Sequence, residues 1–218
     1  MSIEPVLDTQ SYHYAAALSA DQCPYASQLY AYTMGQVGGG MVTAKEQLAL
    51  LRWLILTIGA KKVLEIGTFT GYATLAFAKA VGCDGCVATI DASDAHFDYA
   101  KAIWQKAGVL ERVTAHHAHA DQLLSSWNNH KNNWFDFCYI DADKKNNHLY
   151  YEYALKYIRK KGVIVIDNVL FKGRVANNDY KHSVLESIRA FNRFVAQDHR
   201  VEAVTLAIAD GMTMVLKK

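Results

Sequence analysis

The chain has 218 residues, 51% of them hydrophobic and 20% charged, and 23 Lys+Arg against 21 Asp+Glu leave a formal net charge of +2. These proportions are globular and exclude a disordered tail, and a charge so near neutral excludes the basic footprint of a nucleic-acid or membrane-surface protein. At roughly 150 residues per domain the length predicts a single domain, able to bury about 70% of its unfolded surface without staples.

Met1 to Ala20 carries Glu4 and Asp8, with no basic start and no apolar core, so no secretory signal is expected there. The longest uncharged stretch, Gln22 to Ala44, is broken by Pro24, Gln28, Gln36 and Gly38-Gly39-Gly40, which predicts no membrane span. The four cysteines, Cys23, Cys83, Cys86 and Cys138, are too few for a disulfide scaffold and point to a reduced, cytoplasmic setting.

Residues 1–60 read as a helical N-terminal cap. Asp8 to Leu18 is short and Ala-rich, Pro24 can open a second helix, and Thr43 can cap a third running to Ile58, with Leu48, Leu51, Leu54, Ile55 and Ile58 at helical spacing. The triple glycine before it reads as a loop, a hinge in preference to a phosphate cradle, because no Lys-Ser/Thr pair follows.

From Lys61 to Lys218 short apolar runs alternate with amphipathic helices. The runs are 63–66, 86–90, 113–115, 135–140 and 163–166; the clearest helices are 94–107, with Phe97, Ala100, Ile103 and Trp104 on one face, and 146–160, with Leu149, Tyr150, Tyr153, Ala154 and Tyr157. This alternation predicts an α/β fold, a parallel sheet with helices on both faces. The end departs from it: a helix 182–197 (Leu185, Ile188, Phe191, Val195) precedes runs 201–208 and 212–216 separated by Asp210-Gly211, a hairpin signal that predicts an antiparallel finish.

In open parallel sheets ligands bind at the carboxyl ends of the strands. The first strand ends in Leu64-Glu65-Ile66-Gly67-Thr68-Phe69-Thr70-Gly71-Tyr72, with two glycines where the next helix begins but without the dinucleotide fingerprint. Asp91 ends the second strand, where a carboxylate either accepts ribose hydroxyls or caps the next helix. Asp141, Asp167 and Asn168 end the fourth and fifth strands; they are either helix caps or converging hard oxygen donors suited to Mg²⁺, Mn²⁺ or Ca²⁺ and unsuited to zinc. An Asp after an apolar strand also imitates a Walker B site, but the chain has no Gly-x-x-x-x-Gly-Lys-Ser/Thr.

Taken together, Leu64 to Tyr72, Ile140-Asp141-Ala142-Asp143-Lys144, Ile166-Asp167-Asn168-Val169-Leu170 and Asp210-Gly211-Met212-Thr213 make the stretch from about Met41 to Lys218 resemble the cation-dependent O-methyltransferases, the group of caffeoyl-CoA and catechol O-methyltransferases. The resemblance implies the Rossmann-like class I methyltransferase fold with its seven-stranded sheet, S-adenosylmethionine as donor, a divalent cation, a homodimer, and a small catechol-type aromatic as methyl acceptor. It places Thr43, Glu65, Gly67, Thr68, Asp91, Ala120, Asp141 and Asp143 at the cofactor, Asp141, Asp167 and Asn168 on the metal, and Lys144 as general base beside Asp141. Ala73 falls on a cofactor position where many relatives carry Ser, and Lys172 and Arg174 replace the residues that follow the Asn ligand in the plant enzymes. Those two cations either border the acceptor pocket, where they would pair with an acidic substituent, or point to solvent.

Two other functions compete: an NAD-dependent oxidoreductase on a similar sheet, against which the missing glycine fingerprint counts, and a non-catalytic methyltransferase-like binding protein, against which intact Asp141, Lys144, Asp167 and Asn168 count. Cys83-x-x-Cys86 lacks a second pair and reads as a turn. His116, His117 and His119 read as surface or adenine-edge residues, and Tyr157-x-x-x-Lys161 as core packing at a helix end.

Overall fold

The computed structural model describes residues 8–19, 23–127, 129–177 and 179–218. The leader-peptide reading falls in part on residues 1–7 and 20, outside them. Three helices lead into the sheet: α1 (Thr9–Leu18), α2 (Pro24–Met34) and α3 (Lys45–Thr57). Asp8 caps α1 by accepting the Ser11 N–H at 2.7 Å, and Pro24 opens α2 at its first position. Ala44, not Thr43, is the cap residue of α3, and no side chain bonds there. The Thr43 hydroxyl is turned inward, 3.4 Å from that of Tyr139.

The alternating region forms β1 (Lys62–Ile66), α4 (Tyr72–Ala80), β2 (Cys86–Asp91), α5 (Phe97–Lys106), β3 (Val113–His117), α6 (Ala120–Ser126), β4 (Phe135–Ile140), α7 (Asn147–Tyr157) and β5 (Ile158–Asp167). Helix α8 (Ser183–Ala196) and the pair β6 (Val201–Leu206) and β7 (Met212–Lys217) complete it. Among the described residues the strands make one sheet, ordered β3-β2-β1-β4-β5-β7-β6. The first five run parallel, β7 is antiparallel to both β5 and β6, and the order reverses between β1 and β4.

Strand alternation splits the core into two layers. Val63, Val87, Phe137, Tyr139 and Val165 face α2 to α5, while Leu64, Ile66, Ile90, Cys138, Ile140 and Ile164 face α6 to α8. Each fully buried Leu, Ile, Val or Phe contributes about 1.5–3 kcal/mol, so both layers are needed to hold the sheet.

Two predicted boundaries move. Helix α7 stops at Tyr157, short of residue 160, because Ile158 already pairs with Phe135 and Arg159 bonds Asp136 at 2.6 Å at the foot of β4. On α7 the buried face is Tyr150, Tyr151, Ala154, Leu155 and Tyr157, and Leu149 is exposed. Tyr157 is core, its hydroxyl donating to the Leu124 carbonyl at 2.5 Å. No disulfide forms among the described residues, and Cys83 and Cys86 are exposed around the turn into β2. No helix among the described residues is long and apolar enough to cross a membrane.

Candidate active site

A cavity of about 800 Å³ opens at the carboxyl ends of β1, β2, β4 and β5, where the strand order reverses. Two glycines make its floor possible. At Gly67 (φ 104°) a Cβ would stand 2.1 Å from the Asp141 carbonyl oxygen, so the ends of β1 and β4 approach too closely for any side chain. At Gly71 (φ 77°) it would meet the Trp104 ring at 2.4 Å, and the Trp104 indole N–H donates to the Gly71 carbonyl at 3.1 Å.

On one side of the cavity stand Gly67, Thr68, Ala73, Asp91, His119, Ala120 and Asp143. Asp91 Oδ2 accepts the N–H groups of Thr68 (3.0 Å) and Phe69 (2.7 Å), and its Oδ1 accepts that of Ser93 (3.0 Å). Asp91 thus clamps the loop after β1 besides shaping the turn after β2, and the cap of α5 is His96 instead. Asp143 is braced from α7, accepting from Tyr150 at 2.6 Å and from Asn146 at 2.8 Å. Ala73 offers the cavity a methyl and no hydroxyl.

Glu65 does not line the cavity. It is fully buried beneath, with Oε2 accepting from Thr74 (2.5 Å) and Thr89 (2.6 Å) and with Oε1 unpartnered. Burial pushes its carboxyl up to about 8, against the pull of the two hydroxyls.

The opposite side carries the acid–base groups. Lys144 Nζ lies 3.0 Å from Asp141 Oδ1, with only 13% and 19% of the two side chains exposed. Burial raises the Asp141 carboxyl above the usual carboxylate range, Lys144 pulls it back, and nearby Asp167 raises it further. Asp167 accepts the Tyr139 hydroxyl on Oδ2 and the Asn168 N–H at 2.6 Å on Oδ1. Neither Asp141 nor Asp167 caps a helix. Three oxygen-bearing side chains are therefore gathered at adjoining strand ends. Among the described residues no three His, Cys, Asp or Glu side chains cluster as metal ligands, the third member here being an amide.

Beyond Asn168 (φ 56°) the chain turns through Phe171, Lys172 and Gly173, all with positive φ. Backbone bonds from Val169 to Gly211 and from Leu170 to Asp210 lash this loop to the tip of the β6–β7 hairpin. From α8, buried Arg189 donates to the carbonyls of Arg174, Val175, Asn177 and Tyr180. Lys172 lines the cavity; Arg174 does not, its guanidinium lying 5.7 Å from the Tyr180 ring centroid.

Sequence reasoning passed over Tyr139 and Gln47 and read the glycine run as a hinge. Gly38 and Gly40 border the cavity, so that loop is part of the site's wall. Tyr139 was detectable: two residues before Asp141 on one strand, it must share that residue's face.

Fold and site together define a class I methyltransferase, the S-adenosylmethionine-dependent class. The O-methyltransferase family model matches residues 16–218, and the chain belongs to that family. It is 41% identical over 179 residues to "Probable caffeoyl-CoA O-methyltransferase 1" of Dictyostelium discoideum, covering 81% of this chain and 78% of that one. Among solved structures, the O-methyltransferase TomG of Streptomyces achromogenes, in complex with S-adenosylmethionine, superposes with a TM-score of 0.86 at 27% identity over 96% of each chain. An O-methyltransferase of Bacillus cereus, in complex with S-adenosylhomocysteine, does so with a TM-score of 0.83 at 30% identity over 96% of this chain and 98% of that one.

Proposed function

We propose that this O-methyltransferase moves the methyl group of S-adenosylmethionine onto one hydroxyl of a small aromatic with vicinal hydroxyls, with a divalent cation held by Asp141, Asp167 and Asn168. The observation that carries the reading is the gathering of those three oxygen donors beside Lys144. The donor set fits the ion: all are hard oxygens, and two are neighbouring carboxylates whose mutual repulsion a cation relieves. The Dictyostelium relative's name gives caffeoyl-CoA as acceptor, a compound with such a ring.

A cation held by Asp141, Asp167 and Asn168 would supply the Lewis acidity that lowers the pKa of the reacting hydroxyl, and S-adenosylmethionine would supply an electrophilic sulfonium methyl. The protein's own groups do the rest. Lys144 Nζ, 3.0 Å from Asp141 Oδ1, is the group placed to take the hydroxyl proton. Asp91 has one acceptor site left, on Oδ1, at the cavity rim for a ribose hydroxyl, while Thr43, Gly67, Thr68, Ala73, Ala120 and Asp143 shape the wall around the donor. The buried Glu65 lies under that wall and supports it through Thr74 and Thr89. Phe69, Tyr72 and Tyr139 narrow the space and exclude water, and holding the two reactants in line supplies much of the rate.

The test is turnover of labelled S-adenosylmethionine with a panel of mono-, di- and trihydroxy-aromatics, with and without chelator. Label should reach vicinal diols only, vanish in excess EDTA and return with Mg²⁺ or Mn²⁺. Full turnover in excess chelator would remove the cation, and equal labelling of monohydroxy rings would remove the acceptor class.

A further inference from the structure

A second chamber of about 360 Å³ adjoins the main cavity, at the lower end of the size range for small-ligand sites. The two share residues 40–43, Asn168, Lys172 and Asp210, and the chamber adds Ala44 and Gln47 at the start of α3, Asp167 and Ala209. Asp91, Ala120 and Asp143 line only the main cavity, so the chamber lies on the side of Asp167 and Asn168.

Its hydrogen-bonding groups are out of balance. The two carboxylates already accept from the protein, and Asp167 also faces the proposed cation: Asp167 takes the Tyr139 hydroxyl and the Asn168 N–H, and Asp210 Oδ1 takes the Lys172 N–H. The donors are not engaged. Gln47 is 2% exposed and its Nε2 meets no acceptor. Lys172 Nζ has no ion-pair partner among the described residues. Ala44 gives α3 no side-chain cap, so the positive end of a thirteen-residue helix also opens here. Buried amide groups without a partner are uncommon in folded proteins, and such a group facing a cavity takes its partner from outside the protein, a water or a ligand atom. A primary amide can turn either end inward. The helix start and the Lys172 ammonium favour an anion, and with it the NH₂ end of Gln47.

We propose that this chamber is a subsite for an acidic substituent of the methyl acceptor, a carboxylate on a short tail. Gln47 Nε2 and the first-turn N–H groups of α3 bind its oxygens, and Lys172 pairs with its charge. Gln47 is thereby a specificity-determining residue. The proposal rests on the methyl-transfer reading above and narrows its acceptors to hydroxylated aromatics that carry a carboxylate.

The test compares kcat/KM for 3-(3,4-dihydroxyphenyl)propanoate and for 4-methylcatechol, with Mg²⁺ and saturating S-adenosylmethionine, in the wild-type chain and in Gln47→Leu and Lys172→Met. Leu is near Gln in volume and suits a buried position, so the fold should survive. The wild type should prefer the acid, and each substitution should lower the acid-to-neutral ratio by roughly tenfold, chiefly through KM. An unchanged ratio, or equal losses on both acceptors, would overturn the proposal. So would a Gln47→Leu chain whose only defect is weaker S-adenosylhomocysteine binding by calorimetry, since the chamber would then serve the donor's own carboxylate. If neither compound is methylated, the methyl-acceptor reading has failed. Calorimetric binding of the propanoate, weaker in Gln47→Leu than in wild type or equal in both, then decides the chamber alone.

Discussion

The Tyr139 hydroxyl donates to Oδ2 of Asp167 from the neighbouring strand, and both side chains are buried. The same hydroxyl lies 3.4 Å from that of Thr43 and within reach of Asp141. One phenol thus holds the inner oxygen of a proposed metal ligand in place. Tyr139→Phe removes that donor without changing the ring, leaving a buried carboxylate oxygen unmatched. The variant should lose about 1–3 kcal/mol of stability in a denaturant melt. Its Mn²⁺ affinity by calorimetry should fall by about 10–100-fold, as for other partners that orient a ligand. An unchanged melt and unchanged Mn²⁺ affinity would show that the phenol merely fills space.

Asp91 joins the loop after β1 to the end of β2 through Thr68 and Phe69. Asp91→Ala strips both N–H groups of their acceptor and takes away the carboxylate proposed for the ribose. S-Adenosylhomocysteine binding should weaken by about 1.5–3 kcal/mol, the range for hydrogen bonds to charged groups. Asp91→Asn keeps an acceptor oxygen for the loop and should lose less. Equal losses in both variants would mean that charge, and not loop geometry, is what counts.

Gly71→Ala should unfold the chain at a lower temperature. Its φ of 77° costs a side chain roughly 1–2 kcal/mol, before the contact with Trp104 at 2.4 Å is relieved. At about 2–4 °C per kcal/mol for a chain of this size, a drop of at least about 2 °C is expected by circular dichroism. A melt within a degree of wild type would mean that α5 shifts freely, against the packing described.

Glu65 makes stability depend on pH. Its folded value of about 8 lies above the ordinary 4.5, so between those values the native state keeps a proton that the unfolded chain has released. Its contribution is fully present below about pH 4.5 and is lost as pH rises through 8, amounting to roughly 1 kcal/mol between pH 7 and 9. Glu65→Gln stays neutral and keeps an acceptor for Thr74 and Thr89. Its Tm should therefore gain on that of wild type as pH is raised from 6 to 9; parallel curves would mean that Glu65 does not titrate in that window.

Much of the architecture was legible because it is local. Alternation on 63–66 or 135–140 and helical spacing on 94–107 and 182–197 reflect burial on one face, which nearest neighbours in sequence already encode. The ends of elements were less legible. Helix α7 yields to β5 at Ile158 because Phe135, over twenty residues earlier, offers it a strand partner. Thr43 has the right chemistry for a cap, but Tyr139 of β4 offers its hydroxyl a partner in the interior.

The site divides in the same way. The sequence by itself determined which side chains stand at the strand ends: Asp91, Asp141 and Asp167 follow directly on apolar runs, and Lys144 and Asn168 come within three residues of them. It also determined that residues 67 and 71 have no side chain. Only the tertiary structure decided that Glu65 lies under the cavity and not in it, that Lys172 faces inward while Arg174 lies over Tyr180, and that Gln47 Nε2 stands unpartnered in a chamber that Asp167 also lines. Those outcomes depend on sheet register, on a loop held by Arg189 and on a helix start that lines the same chamber as the end of β5. Each brings together groups far apart in the chain, and which polar atoms meet there is settled by non-local packing that no local pattern encodes.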